Sequence, residues 1–148
     1  MLDKDKLHSD VAQAEGCILH AYKDSLGYWT GGYGHLLDQT KPWKETDLFT
    51  QDQCDLWLAG DLVLAASEAA ELLEWNALDT PARQNALVEL VFNMGEEHWK
   101  KFVRTRLLIT QKKWAFAKAE LLNSLWAKEV GPHRSGRIAN YIYTGEFT

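Results

Sequence analysis

Three side chains within one short stretch of this 148-residue chain have the types and spacing for acid/base hydrolysis. Glu15 precedes a glycine, Asp24 opens the run Asp24-Ser25-Leu26-Gly27, and Thr30 precedes Gly31-Gly32. Residues 17–22 alternate like a strand, with Ile18, His20 and Tyr22 expected on one face. Asp24 and Gly27 suit the first and last positions of a type I turn. The chain then returns through Tyr28-Trp29-Thr30, which brings Glu15, Asp24 and Thr30 to the edge of a small hairpin. Two carboxylates and a hydroxyl at such an edge support protonation of a leaving group and activation of a water. Sugar polymers are the first substrate class to consider for that chemistry.

Each residue also has an ordinary explanation. Leu7, Val11 and Ala14 repeat at helical spacing and Gly16 can end that helix, so Glu15 falls at a helix C-terminus. The carbonyl ends there disfavour a negative charge, a placement that suits a carboxyl required to carry a proton. Alone, Glu15 would read as a solvated surface residue, Asp24 as a turn cap and Thr30 as a strand residue. The glycines form turns, and they also let a polymer approach the backbone closely. His35 could serve as a base, but a structural tie to Asp61 is the better reading. Asp61 falls among Leu58, Leu62 and Ala65 and needs a partner if it faces inward. Arg134 and Arg137 open a helix after Gly131-Pro132, where the dipole opposes cations, which fits a partner carboxylate about as well as two solvated arginines. Trp57, Phe92, Trp114 and Trp126 read as core rather than as a ligand platform.

These side chains need elements to position them. Residues 17–37 read as short strands broken by glycine, and Asp38 to Phe49, with Pro42, as loop. Thr50-Gln51-Asp52-Gln53 has the form of a capping box, and Leu58, Leu62, Ala65, Ala69 and Leu72 continue a helix to about Leu73. Thr80-Pro81 starts a second long helix, whose apolar stripe Ala86, Leu87, Leu90, Val91 and Met94 stops at Gly95. Shorter helices are expected over 101–109, 112–125 and 134–142. The sum is an α+β protein: one domain over 1–148, with a short helix and a small β lobe in 1–49, a linking helix in 50–73 and a helical lobe in 74–148. A cleft between lobes is where a substrate is expected to bind.

Composition narrows the class. With 46% hydrophobic and 25% charged residues the chain is globular, and a net charge of −5 argues against binding to nucleic acid or to an anionic membrane surface. Two cysteines, Cys17 and Cys54, make no disulfide scaffold and read as reduced, partly buried thiols. There is no CxxC and no HExxH, so no metal and no cofactor is expected. Charges interrupt MLDKDKLHSDVAQAEG every few residues, which fits neither a signal peptide nor a membrane anchor, and the protein is expected to fold in the cytoplasm as a monomer.

Taken together, Glu15-Gly16, Tyr22-Lys23-Asp24, Gly27-Tyr28, Thr30 and Gly32-x-Gly34-His35-Leu36-Leu37 resemble the catalytic signature of the phage-type lysozymes, the endolysin muramidases of bacteriophages. The likeness continues through 50–61, Val91-Phe92-Asn93-Met94-Gly95, Lys113-Trp114 and Pro132-His133-Arg134, and so covers nearly the whole chain. The resemblance implies a lysozyme-like fold. It implies that Glu15 protonates the glycosidic oxygen while Asp24 and Thr30 hold the attacking water on the opposite face of the sugar. The bond implied is the β-1,4 link from N-acetylmuramic acid to N-acetylglucosamine in bacterial peptidoglycan, cut with inversion. Leu36, Phe92 and Thr105 fall where the family contacts glycan, Arg134 where an arginine lies near the catalytic glutamate, and His35 and Asp61 on a buried ion pair. Two positions depart from the family: a glycan-contacting asparagine stands here as Glu120, and the acidic residue before the catalytic glutamate as Ala14, which removes a partner for Arg137. The acidic net charge also departs from the basic members, and salt that screens repulsion from the cell wall is expected to favour activity. Use in phage lysis implies passage from the host cytoplasm to the periplasmic cell wall through a separate holin-type pore. A lytic transglycosylase, a chitin-directed hydrolase and a non-catalytic glycan-binding protein are the alternatives.

Overall fold

Helix α1 (Lys4–Glu15) stops where the sequence supplies a stop: Gly16 takes the left-handed conformation, φ 69°, and its N–H bonds back to the Ala12 carbonyl at 3.0 Å. Three strands follow, β1 (Ile18–Lys23), β2 (Trp29–Gly32) and β3 (His35–Leu36), in an antiparallel sheet of order β1-β2-β3. The computed structural model describes every residue, Met1–Thr148.

The turn between β1 and β2 closes as the sequence predicts. Gly27 N donates to Asp24 O at 3.0 Å, so aspartate holds the first position and glycine the fourth. The strand before it does not alternate as expected. Its register slips between Ile18 and Tyr22, and Ala21 alone is fully buried in β1. A bulge of this kind resets the two-residue period, which places Tyr22 opposite Thr30. The outer edge of β1 is covered by the 38–49 loop: Phe49 N donates to Leu19 O and Ala21 N to Asp47 O, both at 2.9 Å. Gly31 is present because something occupies the place of its side chain. A Cβ there would lie 2.6 Å from Phe49 Cε2.

Helix α2 (Gln51–Ala70) begins at Thr50, whose hydroxyl accepts from Gln53 N at 3.1 Å. It ends at Ala70, short of the expected Leu73, because Leu72 N turns back to Ala69 O in a tighter, three-residue bond. A 3-10 turn at Trp75–Ala77 leads to α3 (Pro81–Met94), capped by Thr80 and stopped at Gly95 as expected. Helix α4 (Glu96–Trp99), which no periodicity in the sequence signals, precedes α5 (Val103–Thr110). The single helix expected over 112–125 is two: α6 (Trp114–Leu122) and α7 (Leu125–Val130). Ser124 breaks the run, because its hydroxyl accepts from Ala127 N at 3.2 Å and starts a new helix. Helix α8 (Pro132–Thr144) begins two residues earlier than expected, at Pro132 in the first turn, and ends at Gly145.

The chain divides into two compact units, His8–Leu64 and Met1–Leu7 with Ala65–Thr148. In the second unit α8 packs on α3, α6 and α7, with Leu87, Leu90, Leu121, Ile138 and Ile142 all buried. Of the tryptophans expected in the core, Trp126 is buried and Trp57 and Trp114 are half-buried; the fully buried one is Trp99 on α4, which the sequence does not mark.

Arg83 fastens the start of α3 to the end of α8. Its Nε donates to Ile142 O at 2.8 Å, Nη2 donates to Tyr143 O at 2.9 Å, and its guanidinium lies 4.0 Å over the Trp114 ring. Asp79 closes the arrangement, 2.8 Å from Nη1. Burial pushes the Asp79 carboxyl up, but the hydrogen bond and charge of Arg83, with Lys112, hold it below its ordinary value. A depressed carboxylate contributes stability that is complete above the unfolded pKa and is lost as pH falls through the folded one. Asp79→Asn is therefore expected to lower Tm at neutral pH by roughly 2–4 °C, consistent with about 1 kcal/mol for a pair partly in water. The gap should close as the scan is repeated in increasingly acid buffer; a gap that stays constant would sink the assignment.

Candidate active site

Glu15, Asp24, Thr30, His35, Leu36 and Asp61 all lie in the unit His8–Leu64, whereas Phe92, Thr105 and Arg134 lie in the other. Glu15 is the last residue of α1, half-buried. Asp24 sits in the turn that its own side chain builds. Its Oδ1 accepts from Leu26 N and Tyr28 N, both at 2.9 Å, and its backbone N–H donates to Tyr28 O at 2.9 Å. Because both bonds land on Oδ1, the carboxylate is fixed while Oδ2 can accept from another donor. Thr30 is buried on β2, and its hydroxyl donates to Tyr28 O at 3.0 Å. With its proton committed, that oxygen acts toward anything else as an acceptor.

Tyr22 on β1 is a neighbour of these residues that the sequence does not mark as a site residue. It pairs with Thr30 across the β1–β2 ladder. Burial raises its phenol above the ordinary tyrosine value, and the negative charges of Asp24 and then Glu15 raise it further. One hydroxyl therefore lies in the field of both carboxylates. The sequence signal was its place two residues before Asp24, on the strand that leads into the turn.

The support around β3 is less buried than the resemblance implied. His35 Nδ1 lies 2.8 Å from Asp61 Oδ2, but the side chains are 26% and 34% exposed, so the pair is half in water. The imidazole also stacks on Trp57, with ring centres 4.7 Å apart and planes 11° from parallel. Between them, Asp61 and Trp57 on α2 fix the ring from its edge and its face. Leu36 beside it is 58% exposed on β3, paired with Thr30.

In the other unit, Arg134 finds a partner carboxylate in Glu89. Arg134 Nε donates to Glu89 Oε2 at 3.0 Å, and Arg137 donates to both carboxylate oxygens at 2.8 Å. Arg137 thus has an acidic partner despite the alanine at position 14. The sequence marks Glu89 only by its place between Leu87 and Leu90 in an apolar stripe. Phe92 on α3 is half-buried, and Thr105 on α5 is buried. Thr105, Phe102, Arg104 and Glu120 line a shallow pocket of about 310 Å³, and Glu120 faces Arg104 at 3.4 Å.

A small three-stranded antiparallel sheet with a helix-rich remainder is an α+β architecture of the lysozyme type. The sequence profile of the phage lysozyme family matches residues 12–138, and the chain belongs to that family. It is accordingly a muramidase-type peptidoglycan hydrolase. Among similar proteins, the probable T4-type lysozyme 2 of Dictyostelium discoideum is 32% identical, over 96% of this chain and 94% of its own length. Probable T4-type lysozyme 1 of the same organism is 31% identical over the same shares. An endolysin of Acyrthosiphon pisum secondary endosymbiont phage 1 is 34% identical over 57% of this chain and 54% of its own length. No helix of the chain is long and apolar enough to cross a membrane.

Proposed function

We propose that the chain hydrolyses the β-1,4 bond between N-acetylmuramic acid and N-acetylglucosamine, with Glu15 as general acid and Asp24 and Thr30 holding the attacking water. The observation that carries this reading is the β1–β2 hairpin, which holds Asp24 through Oδ1 with Oδ2 able to accept and commits the Thr30 proton to the Tyr28 carbonyl. Glu15 delivers its proton to the glycosidic oxygen as the bond to the anomeric carbon breaks. The water donates one hydrogen bond to Asp24 Oδ2 and another to Thr30 Oγ1, both acceptors. Its oxygen lone pair is then directed at the anomeric carbon, and its proton passes to Asp24. This arrangement inverts the anomeric centre, because the water attacks from the face opposite the leaving group.

Leu36, Phe92 and Thr105 contact glycan in this reading. His35 and Asp61 hold β3, and Arg134 supports its unit through Glu89. The protein acts as a monomer on the cell wall, and when it serves phage lysis it reaches the wall through a separate pore.

Product analysis tests the proposal directly. Purified peptidoglycan digested with the protein should yield fragments with reducing muramic acid ends, read by mass spectrometry. Anhydromuramic ends would identify a lytic transglycosylase instead. Absence of release from peptidoglycan alongside turnover of chitin oligosaccharides would move the substrate to chitin. Binding without any product would leave only a glycan-binding role.

A further inference from the structure

The chain has two cysteines, 37 positions apart in sequence, and the fold brings them together. Cys54 lies in the first turn of α2 and is completely buried, while Cys17, just after Gly16, is part-exposed. Gly32 makes room for the approach. Its φ is 62°, and a Cβ there would lie 3.1 Å from both Cβ and Sγ of Cys54. Cys54 therefore rests on the backbone of β2. Gly32 pairs with Ile18 across the ladder, so the residue next to Cys17 stands at the same level of the sheet. Both thiols are free, and Cys17 lies close enough to bear on the ionisation of Cys54.

We infer that Cys17 and Cys54 form a reversible disulfide site, a clip between the end of α1 and the start of α2. The oxidant is a small-molecule disulfide, RSSR. Cys17 is the entry point because it is the reachable sulfur. Burial, and next the bond with Cys17, push the Cys54 thiol up to about 11, so Cys54 holds its proton until it is needed. In the first step the Cys17 thiolate attacks one sulfur of RSSR, forms Cys17–S–S–R and releases RS⁻. In the second, Cys54 loses its proton and attacks Cys17 Sγ, which expels the other RS⁻. Overall the two protein thiols lose two electrons and two protons, and RSSR becomes two RSH. The closed loop constrains the unfolded chain more than the folded one.

The full chain is equilibrated with excess oxidised glutathione at mildly alkaline pH. The expected product has lost the mass of two hydrogens, and a non-reducing peptide map joins the Cys17 and Cys54 peptides. Its Tm should rise by roughly 5–10 °C and return on reduction. Cys54→Ser should stop at a glutathione adduct on Cys17, and Cys17→Ser should remain unmodified while folded. In the unaltered protein, alkylation by iodoacetamide should label Cys17 well before Cys54, a check that needs no folded variant. A Cys17 adduct that never resolves, disulfide-linked dimers in place of the internal bridge, or equal alkylation of the two thiols would overturn the inference. These readouts are independent of glycosidase activity.

Discussion

Glu15→Gln is expected to lower the rate of peptidoglycan hydrolysis by about 10²–10⁴-fold, the usual contribution of a positioned general acid. The substitution keeps the size of a half-buried side chain and removes the transferable proton together with the carboxylate charge. Tm should therefore stay close to that of the unaltered protein, and loss of activity cannot be laid to loss of fold. Asp24→Asn makes the sharper comparison. Asparagine retains Oδ1 for the two backbone N–H groups of Leu26 and Tyr28, so the turn survives. What disappears is the negative charge and the second acceptor. An aspartate that only capped the turn would tolerate the change, whereas one that holds and deprotonates a water loses at least about tenfold. Both variants are assayed on purified peptidoglycan by release of reducing ends. Full activity in Glu15→Gln would remove it from the mechanism, and less than a tenfold loss in Asp24→Asn would return that residue to a purely structural role.

The largest effect on stability is expected from Glu74→Leu. Glu74 is completely buried just before the 3-10 turn. Its Oε2 accepts from Trp99 Nε1 at 2.7 Å and from Arg106 Nε at 2.8 Å, and its Oε1 accepts from Arg106 Nη2 at 3.0 Å. The hydrogen bond and charge of Glu74 outweigh the burial of Arg106 and hold its guanidinium even more firmly protonated than usual. Leucine fills the space but strands Arg106 and the indole N–H of Trp99 without their acceptor. Breaking one side of a buried pair costs about 3–5 kcal/mol, against a typical total of about 5–15 kcal/mol. The expected fall in Tm is of order 10 °C. Glu74→Leu combined with Arg106→Leu should recover much of the loss, because removing both charges leaves no orphan. Calorimetry that finds the single variant within a degree or two of the unaltered protein would show that these bonds add nothing over their exposure to water.

What the sequence disclosed follows the range of the forces involved. The turn at Asp24 and Gly27, the Thr50 and Thr80 caps and the stops at Gly16 and Gly95 are settled by neighbours within four residues, and all were legible. Glu74 and Glu89 were not, because their partners stand 32 and 45 positions away. Nothing local marks either glutamate except its apolar surroundings. The periodicity of 112–125 hid the break at Ser124, since an apolar repeat can persist while a hydroxyl captures the next N–H and restarts the helix. The bulge in β1 was invisible for a similar reason: a two-residue period does not announce where a ladder will skip. At the site, Glu15, Asp24 and Thr30 could be read only as a set. The place of Tyr22 emerged once the skipped register set it opposite Thr30.

The pairing of Asp47 and Phe49 with the outer side of β1 bears on any attempt to shorten this protein. The tip of that loop, Pro42 to Glu45, makes no backbone bond to the strand, but Lys44 holds Asp47 through bonds of 2.8 and 2.9 Å, so any trimming or grafting there must leave Lys44 in place. A deletion reaching Asp47 would uncover a row of idle amides and carbonyls beside the turn that carries Asp24. Such a border recruits another chain readily, so over-trimming would first be noticed as precipitate in the tube, well ahead of any change in the chemistry.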